Sequence, residues 1–112
     1  MEMVEVQAKF GYVPRRVKRK LLETVQVVQG KIDERICWKD DDSGVGYCVS
    51  MNQGTSLCVS VSEPGDMPNA SVLPFLEKEL GEPTTLFASP SSLNPEVMIF
   101  YMIWNRTTAH LH

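Results

Sequence analysis

The stretch GYCVSMNQGTSLCVS, residues 46–60, separates by parity into two faces. Tyr47, Val49, Met51, Thr55, Leu57 and Val59 fall on one. Gly46, Cys48, Ser50, Ser56, Cys58 and Ser60 fall on the other. Alternation of this length is strand periodicity, because successive side chains of a strand point to opposite faces. Asn52-Gln53-Gly54 interrupts it. A three-residue loop ending in glycine fits a type I turn followed by a left-handed residue, so 45–51 and 55–62 are expected to pair as a hairpin. In that register Ser50 lies opposite Ser56, and Cys48 opposite Cys58. The hairpin then has one bulky apolar face suited to a core and one face with almost no side chains.

The other periodicities arrange elements around it. Val4, Val6, Ala8 and Phe10 alternate with Glu5, Gln7 and Lys9, a half-buried strand broken by Gly11 and Pro14. Val17, Leu21, Val25 and Val28 recur at helical spacing. Pro14 suits a first helical turn, where a missing N–H has no bond to lose. The spacing predicts a helix over 14–29, stopped by Gly30, with the β-branched run TVQVV at 24–28 as its competing strand signal. Ile32, Ile36 and Trp38 mark a strand over 31–39, and DDDSG at 40–44 reads as a hairpin loop. After a loop at 63–69, Ser71 or Asn69 is placed to cap a short helix through Leu80, closed by Gly81 and Pro83. Pro74 fits that helix only in its first turn. TTLFA at 84–88 is a short strand, and SPSSLNP at 89–95 a loop. Val97–Trp104 is apolar on both parities, which predicts a strand buried on both faces. The tail 105–112 reads as frayed.

The expected fold is α+β: a single layer of five to six mostly antiparallel strands with two helices, in the order β-α-β-β-β-α-β-β. A chain of 112 residues without repeat or linker is expected to be one domain, 1–112. From the first helix onward this order is similar to that of type III secretion chaperone-like folds. That family normally adds a C-terminal helix, which the order above does not contain, and this chain adds an N-terminal strand. The likeness is one of element order, which implies a fold and not a function.

Two helices about 10 Å across cover roughly 20 Å of a sheet that five or six strands make roughly 25–30 Å wide. They can shield one face well or both poorly. Val97, Ile99, Tyr101 and Ile103 form one row of the last strand, and Met98, Phe100, Met102 and Trp104 the other. One row is therefore expected to lack cover. Beside the small-residue face, a methionine and aromatic row would supply the apolar area of an interface core. The expected contact surface is Gly46, Cys48, Ser50, Ser56, Cys58 and Ser60 as a floor, with Phe100 and Trp104 in the wall. Its expected partner is a second copy of the chain. A solvated strand with one helix on each face is the plainer alternative.

The formal net charge of −3 implies no nucleic-acid or membrane partner by itself, but the charge is uneven. Residues 1–35 hold eight basic and five acidic side chains, whereas 36–112 hold three basic and nine acidic. An anionic partner would meet the first third, where PRRVKRK at 14–20 sets Arg15, Arg16, Arg19 and Lys20 on a helix. Against phosphate contact stands an ordinary solvated helix face. The two differ in whether the cations form one field or are neutralised by Glu23, Asp33 and Glu34. The longest apolar run, Val97–Trp104, is far shorter than the roughly 20 residues of a membrane helix.

Cys37, Cys48 and Cys58 are odd in number, spaced by eleven and ten residues, with no apolar leader in Met1–Phe10. Free thiols in a reducing, intracellular, cytoplasmic setting are expected, and no zinc site. A disulfide between facing Cys48 and Cys58 is the competing arrangement. DDDSGVG at 40–46 resembles a calcium loop, but the twelfth position from Asp40 is Met51 where a bidentate glutamate is needed. His110 and His112 are the two histidines, both in the tail, so the body of the chain lacks the commonest general base. No nucleophile–base set stands out, and no cofactor or metal is expected. The expected function is that of a small non-enzymatic binding protein, an adaptor, chaperone-like protein or inhibitor, acting through protein contacts as a homodimer. The alternative is a nucleic-acid-associated protein using helix 14–29.

Overall fold

The computed structural model describes residues 7–65 and 67–105. Its elements run α1 (Arg15–Gln29), β1 (Glu34–Lys39), β2 (Gly46–Asn52), β3 (Ser56–Pro64), α2 (Leu73–Leu80), β4 (Thr85–Pro90) and β5 (Val97–Asn105). The five strands form one antiparallel sheet in the order β1-β2-β3-β5-β4. From α1 onward this is the expected α+β layer in the expected order. Of the strand expected at its N-terminal side, Val4 and Val6 lie outside the described residues. The described remainder makes only an isolated parallel bridge, Lys9 to Asn69, and Phe10 is exposed.

Helix α1 begins just after Pro14, whose carbonyl accepts from the N–H groups of Val17 and Lys18. Its buried residues are Val17, Leu21, Thr24, Val25 and Val28, the predicted stripe with Thr24 added. The Thr24 hydroxyl donates to the Lys20 carbonyl at 2.6 Å, so its polar group is satisfied inside the helix. Burial of Val25 and Val28 overrides the strand preference of TVQVV, as tertiary packing commonly does. Helix α2 starts at Leu73, with Pro74 in its first turn. Asn69 and Ser71 do not cap it. Asn69 Oδ1 accepts from the Ser71 N–H, and Ser71 Oγ accepts from the Gly11 N–H, tying the entering chain to the segment before α2.

Both helices lie on the same face of the sheet. Val17, Leu21, Val25 and Val28 of α1 and Leu73 and Leu76 of α2 form one core with Tyr47, Val49, Met51, Leu57, Val59, Val61, Phe100, Met102 and Trp104. This is the bulky parity of the β2–β3 hairpin, as expected. The prediction that β5 is buried on both faces is corrected: only the Phe100–Met102–Trp104 row is buried, and Ile99, Tyr101 and Ile103 remain half-exposed. Trp104 is fixed in the core by its indole N–H, which donates to the Gly81 carbonyl at 2.9 Å.

The hairpin register differs by one pair. The β2–β3 ladder continues to Asn52 opposite Ser56, so Ser50 faces Cys58 and Cys48 faces Ser60. The turn is Gln53-Gly54-Thr55, and both Gln53 and Gly54 have positive φ, 56° and 71°. Gln53 is held in this conformation by its N–H, which donates to Asp33 Oδ1, and by the adjoining Gly54 N–H, which donates to the Ile32 carbonyl. Residues 31–33 thus wrap the hairpin tip, and β1 starts only at Glu34. The shift of two residues between partners preserves parity, so the two faces keep the composition read from the sequence.

Tyr47 lies in the core, stacked on its cross-strand partner Trp38 with ring centroids 5.5 Å apart. Burial, reinforced by the carboxylates of Asp40 and Glu63, pushes its phenol up to about 12. The unfolded phenol loses its proton near pH 10. Stability contributed by the buried neutral ring is therefore complete below about pH 10 and is lost as the pH climbs toward 12. Replacing Tyr47 with Phe is expected to flatten the fall in melting temperature above about pH 10. An unchanged alkaline slope would show that Tyr47 does not produce it.

Candidate functional site

The face of the sheet opposite the helices has no covering element among the described residues. Its ladders align into three rows that cross all five strands. The first is Arg35, Ser50, Cys58, Ile103 and Thr85; the second is Cys37, Cys48, Ser60, Tyr101 and Phe87; the third is Lys39, Gly46, Ser62, Ile99 and Ser89. Read down the strands, the face is asymmetric. β1 carries the two cations, Arg35 and Lys39. β2 and β3 carry only glycine, cysteine and serine in these rows. β5 carries Ile99, Tyr101 and Ile103. On β4, Phe87 is 39% exposed and stacks on Tyr101 with centroids 4.6 Å apart and planes at 14°. A shallow depression lies over Cys48, Ser50, Cys58 and Ser60, bounded by Arg35 on one side and Tyr101 on the other.

The structure therefore brings together Gly46, Cys48, Ser50, Ser56, Cys58 and Ser60 on one open face, as the parity indicated. Phe100 and Trp104 are not part of it. They are 1% and 5% exposed, on the helix side. The wall is the other row of β5, Ile99–Tyr101–Ile103, extended by Phe87. No parity argument within β5 distinguishes its two rows, because both are apolar. The pairing of Val59 with Met102 and of Cys58 with Ile103 decides which row joins the core. Phe87 was missed because a short strand with one aromatic gives little signal by itself. At Gly46 an added Cβ would come within 2.8 Å of Ser62 Oγ across the ladder, so the serine hydroxyl would have to rotate away.

The expectation of three free thiols is also corrected. Cys37 and Cys48 face one another across β1 and β2 and form a disulfide, with Cα atoms 4.1 Å apart. The sequence spacing pointed to Cys48 and Cys58, but the β2–β3 register sets these diagonally. The β1–β2 register sets Cys37 directly opposite Cys48. Cys58 remains a free thiol, half-buried on β3. Burial pushes its thiol pKa up, against the opposing hydrogen bond with Ser50 and the charge of Arg35.

The basic helix is partly neutralised, though not by Glu23, Asp33 or Glu34. Arg16 grips Asp40 with two hydrogen bonds of 3.2 and 3.0 Å and reaches Asp42 at 3.1 Å. The Arg16 guanidinium, followed by Ser43, holds the Asp40 carboxyl below its ordinary range. Asp40 also accepts from the Ser43 hydroxyl at 2.7 Å, so the acidic loop is organised around this one carboxylate. Lys20 Nζ lies 5.1 Å from the Trp38 ring centroid, and Lys18 Nζ lies 5.5 Å from that of Phe75. Arg15 and Arg19 are exposed.

Among the described residues no three histidine, cysteine or acidic side chains gather as metal ligands, and no helix is long and apolar enough to cross a membrane. His110 and His112 lie outside the described residues. Compared with protein-family models, with curated proteins and with solved structures, the chain has no match.

Proposed function

We propose that this is a small non-enzymatic binding protein, of the adaptor, chaperone-like or inhibitor kind, that works by contact through the open face of its sheet and assembles as a homodimer. The observation that carries this reading is the one-sided placement of both helices, which leaves Ile99, Tyr101, Ile103 and Phe87 beside a floor of small side chains. Apolar area at roughly 25 cal/mol per Å² favours covering such a wall, and the small floor lets another backbone approach closely. Phosphate contact by α1 draws less support, since Arg16 is held by Asp40 and Asp42 and Lys20 lies over Trp38.

Sedimentation equilibrium of the intact chain at micromolar concentration tests the reading, with a dimer as the expected result. Ser50 sits in the middle of the floor, so Ser50→Arg is expected to give a folded monomer. On a merely solvated face the same change would cost within about 0.5 kcal/mol and leave assembly unaltered. A parent chain that sediments as a monomer removes the proposal.

A further inference from the structure

We infer that two copies pack their open sheet faces together about a two-fold axis running along β3, so that the β1–β2 half of each face receives the β5–β4 half of the other. The inference rests on the contact reading above and adds the partner's orientation.

Two face-to-face sheets related by a two-fold axis have two simple arrangements with nearly aligned strands. With the axis across the strands, each strand lies over its own counterpart. The bulky β5 rows then collide, the bare β2 rows leave a void, and Arg35 and Lys39 meet the same cations of the partner. With the axis along β3, the order β1-β2-β3-β5-β4 is reversed in the partner, and each strand meets its opposite. Ile99, Tyr101 and Ile103 then rest over the partner's Gly46, the partner's Cys48 and the partner's Ser50. Phe87 rests over the partner's Cys37, between the partner's Arg35 and the partner's Lys39. Large side chains meet small ones, and the only two charges in the three rows meet an exposed aromatic ring, a favourable pairing of cation and π-face. Like charges set opposite one another in the other arrangement are penalised.

The area is sufficient. Five strands at about 4.8 Å, each about 20–30 Å long, give a face of roughly 600 Å², so two copies bury roughly 1,200 Å². That is the lower end of the range for specific interfaces. β3 is the middle strand of the five. An axis along it therefore sets Cys58, the free thiol, opposite the same residue of the second copy.

The test uses charge at position 87 in the full chain. In this arrangement Phe87→Glu gains two opposite charges across the interface, and Phe87→Lys gains two like charges. The dimer Kd of Phe87→Glu is expected to be at least about tenfold lower than that of Phe87→Lys at low salt, the gap narrowing as salt rises. The net charge of −3 acts in the opposite sense, since an added lysine reduces general repulsion. Equal affinities, or a tighter lysine variant, overturn the arrangement. Should both variants be monomeric, a short bismaleimide applied to the parent chain decides. Covalent dimers that vanish in Cys58→Ser support the axis, and their absence from a dimeric chain overturns it. A dimeric parent that Ser50→Arg splits, but whose Phe87 variants behave alike, loses only this orientation. A monomeric parent loses the contact reading as well.

Discussion

Phe100→Ala is expected to lower the unfolding free energy by about 3–5 kcal/mol, the cost of emptying a fully enclosed aromatic site. Phe100 is 1% exposed and belongs to the row of β5 that enters the core shared with the helices. Its neighbour Tyr101 points to the opposite face, and Tyr101→Ala is expected to cost about 1 kcal/mol in the monomer, an ordinary value for a partly exposed side chain. The pair is best read as midpoints of chemical denaturation at a concentration where the chain is monomeric. Should the alanine variant fail to fold, Phe100→Leu keeps the comparison, because a smaller truncation at the same site must still cost more than its counterpart at Tyr101. Comparable losses at the two positions would mean that β5 does not bury one row and expose the other.

Reduction of the Cys37–Cys48 bond is the second large effect. The bond closes a loop with a sequence separation of 11. Releasing a loop of that size returns entropy to the unfolded chain equivalent to about 3 kcal/mol. For a chain of this size that corresponds to a fall in melting temperature of roughly 10–20 °C. The measurement is a thermal melt with and without reductant, repeated on Cys37→Ser/Cys48→Ser, which should melt like the reduced parent and ignore the reductant. A parent that melts identically under both conditions would show that the bond does not stabilise the fold, and a titration finding three thiols in the unreduced chain would show that it does not form.

What could be read from the sequence, and what could not, divides along a physical line. Tyr47–Met51 and Leu57–Val61 each alternate strictly, and α1 repeats valine and leucine at helical spacing, so each segment carries its own periodicity and all were legible. The parity of the hairpin even survived a register error, because the shift at Gln53-Gly54 moved each partner by two residues. The orientation of β5 was not legible. A strand apolar on both sides has no internal preference, and its choice of face depends on a pairing with β3 across a long stretch of chain. The disulfide was not legible because it depends on the β1–β2 register, which is fixed where the turn after Lys39 closes with the Asp40 N–H on the Val45 carbonyl. The anchoring of Arg16 on Asp40 links a helix to a loop 24 residues on, and local pattern carries no trace of it.

The place of β5 in the sheet has a kinetic consequence. β2 and β3 meet through partners as near as Asn52 and Ser56, so their pairing closes almost no chain. The nearest β3–β5 partners, Pro64 and Val97, are 33 residues apart, which adds about 2 kcal/mol of loop-closure entropy relative to the hairpin. β4 has only β5 as a neighbour, so it has no place in the sheet until β5 has docked. The β1–β2–β3 meander can therefore assemble early, while its β3 edge stays unpaired and the seats of Phe100, Met102 and Trp104 stay empty. Arrival of β5 closes that edge, completes the core and raises the outer wall in one event. The interval before it is when the chain is most exposed to pairing with a neighbour.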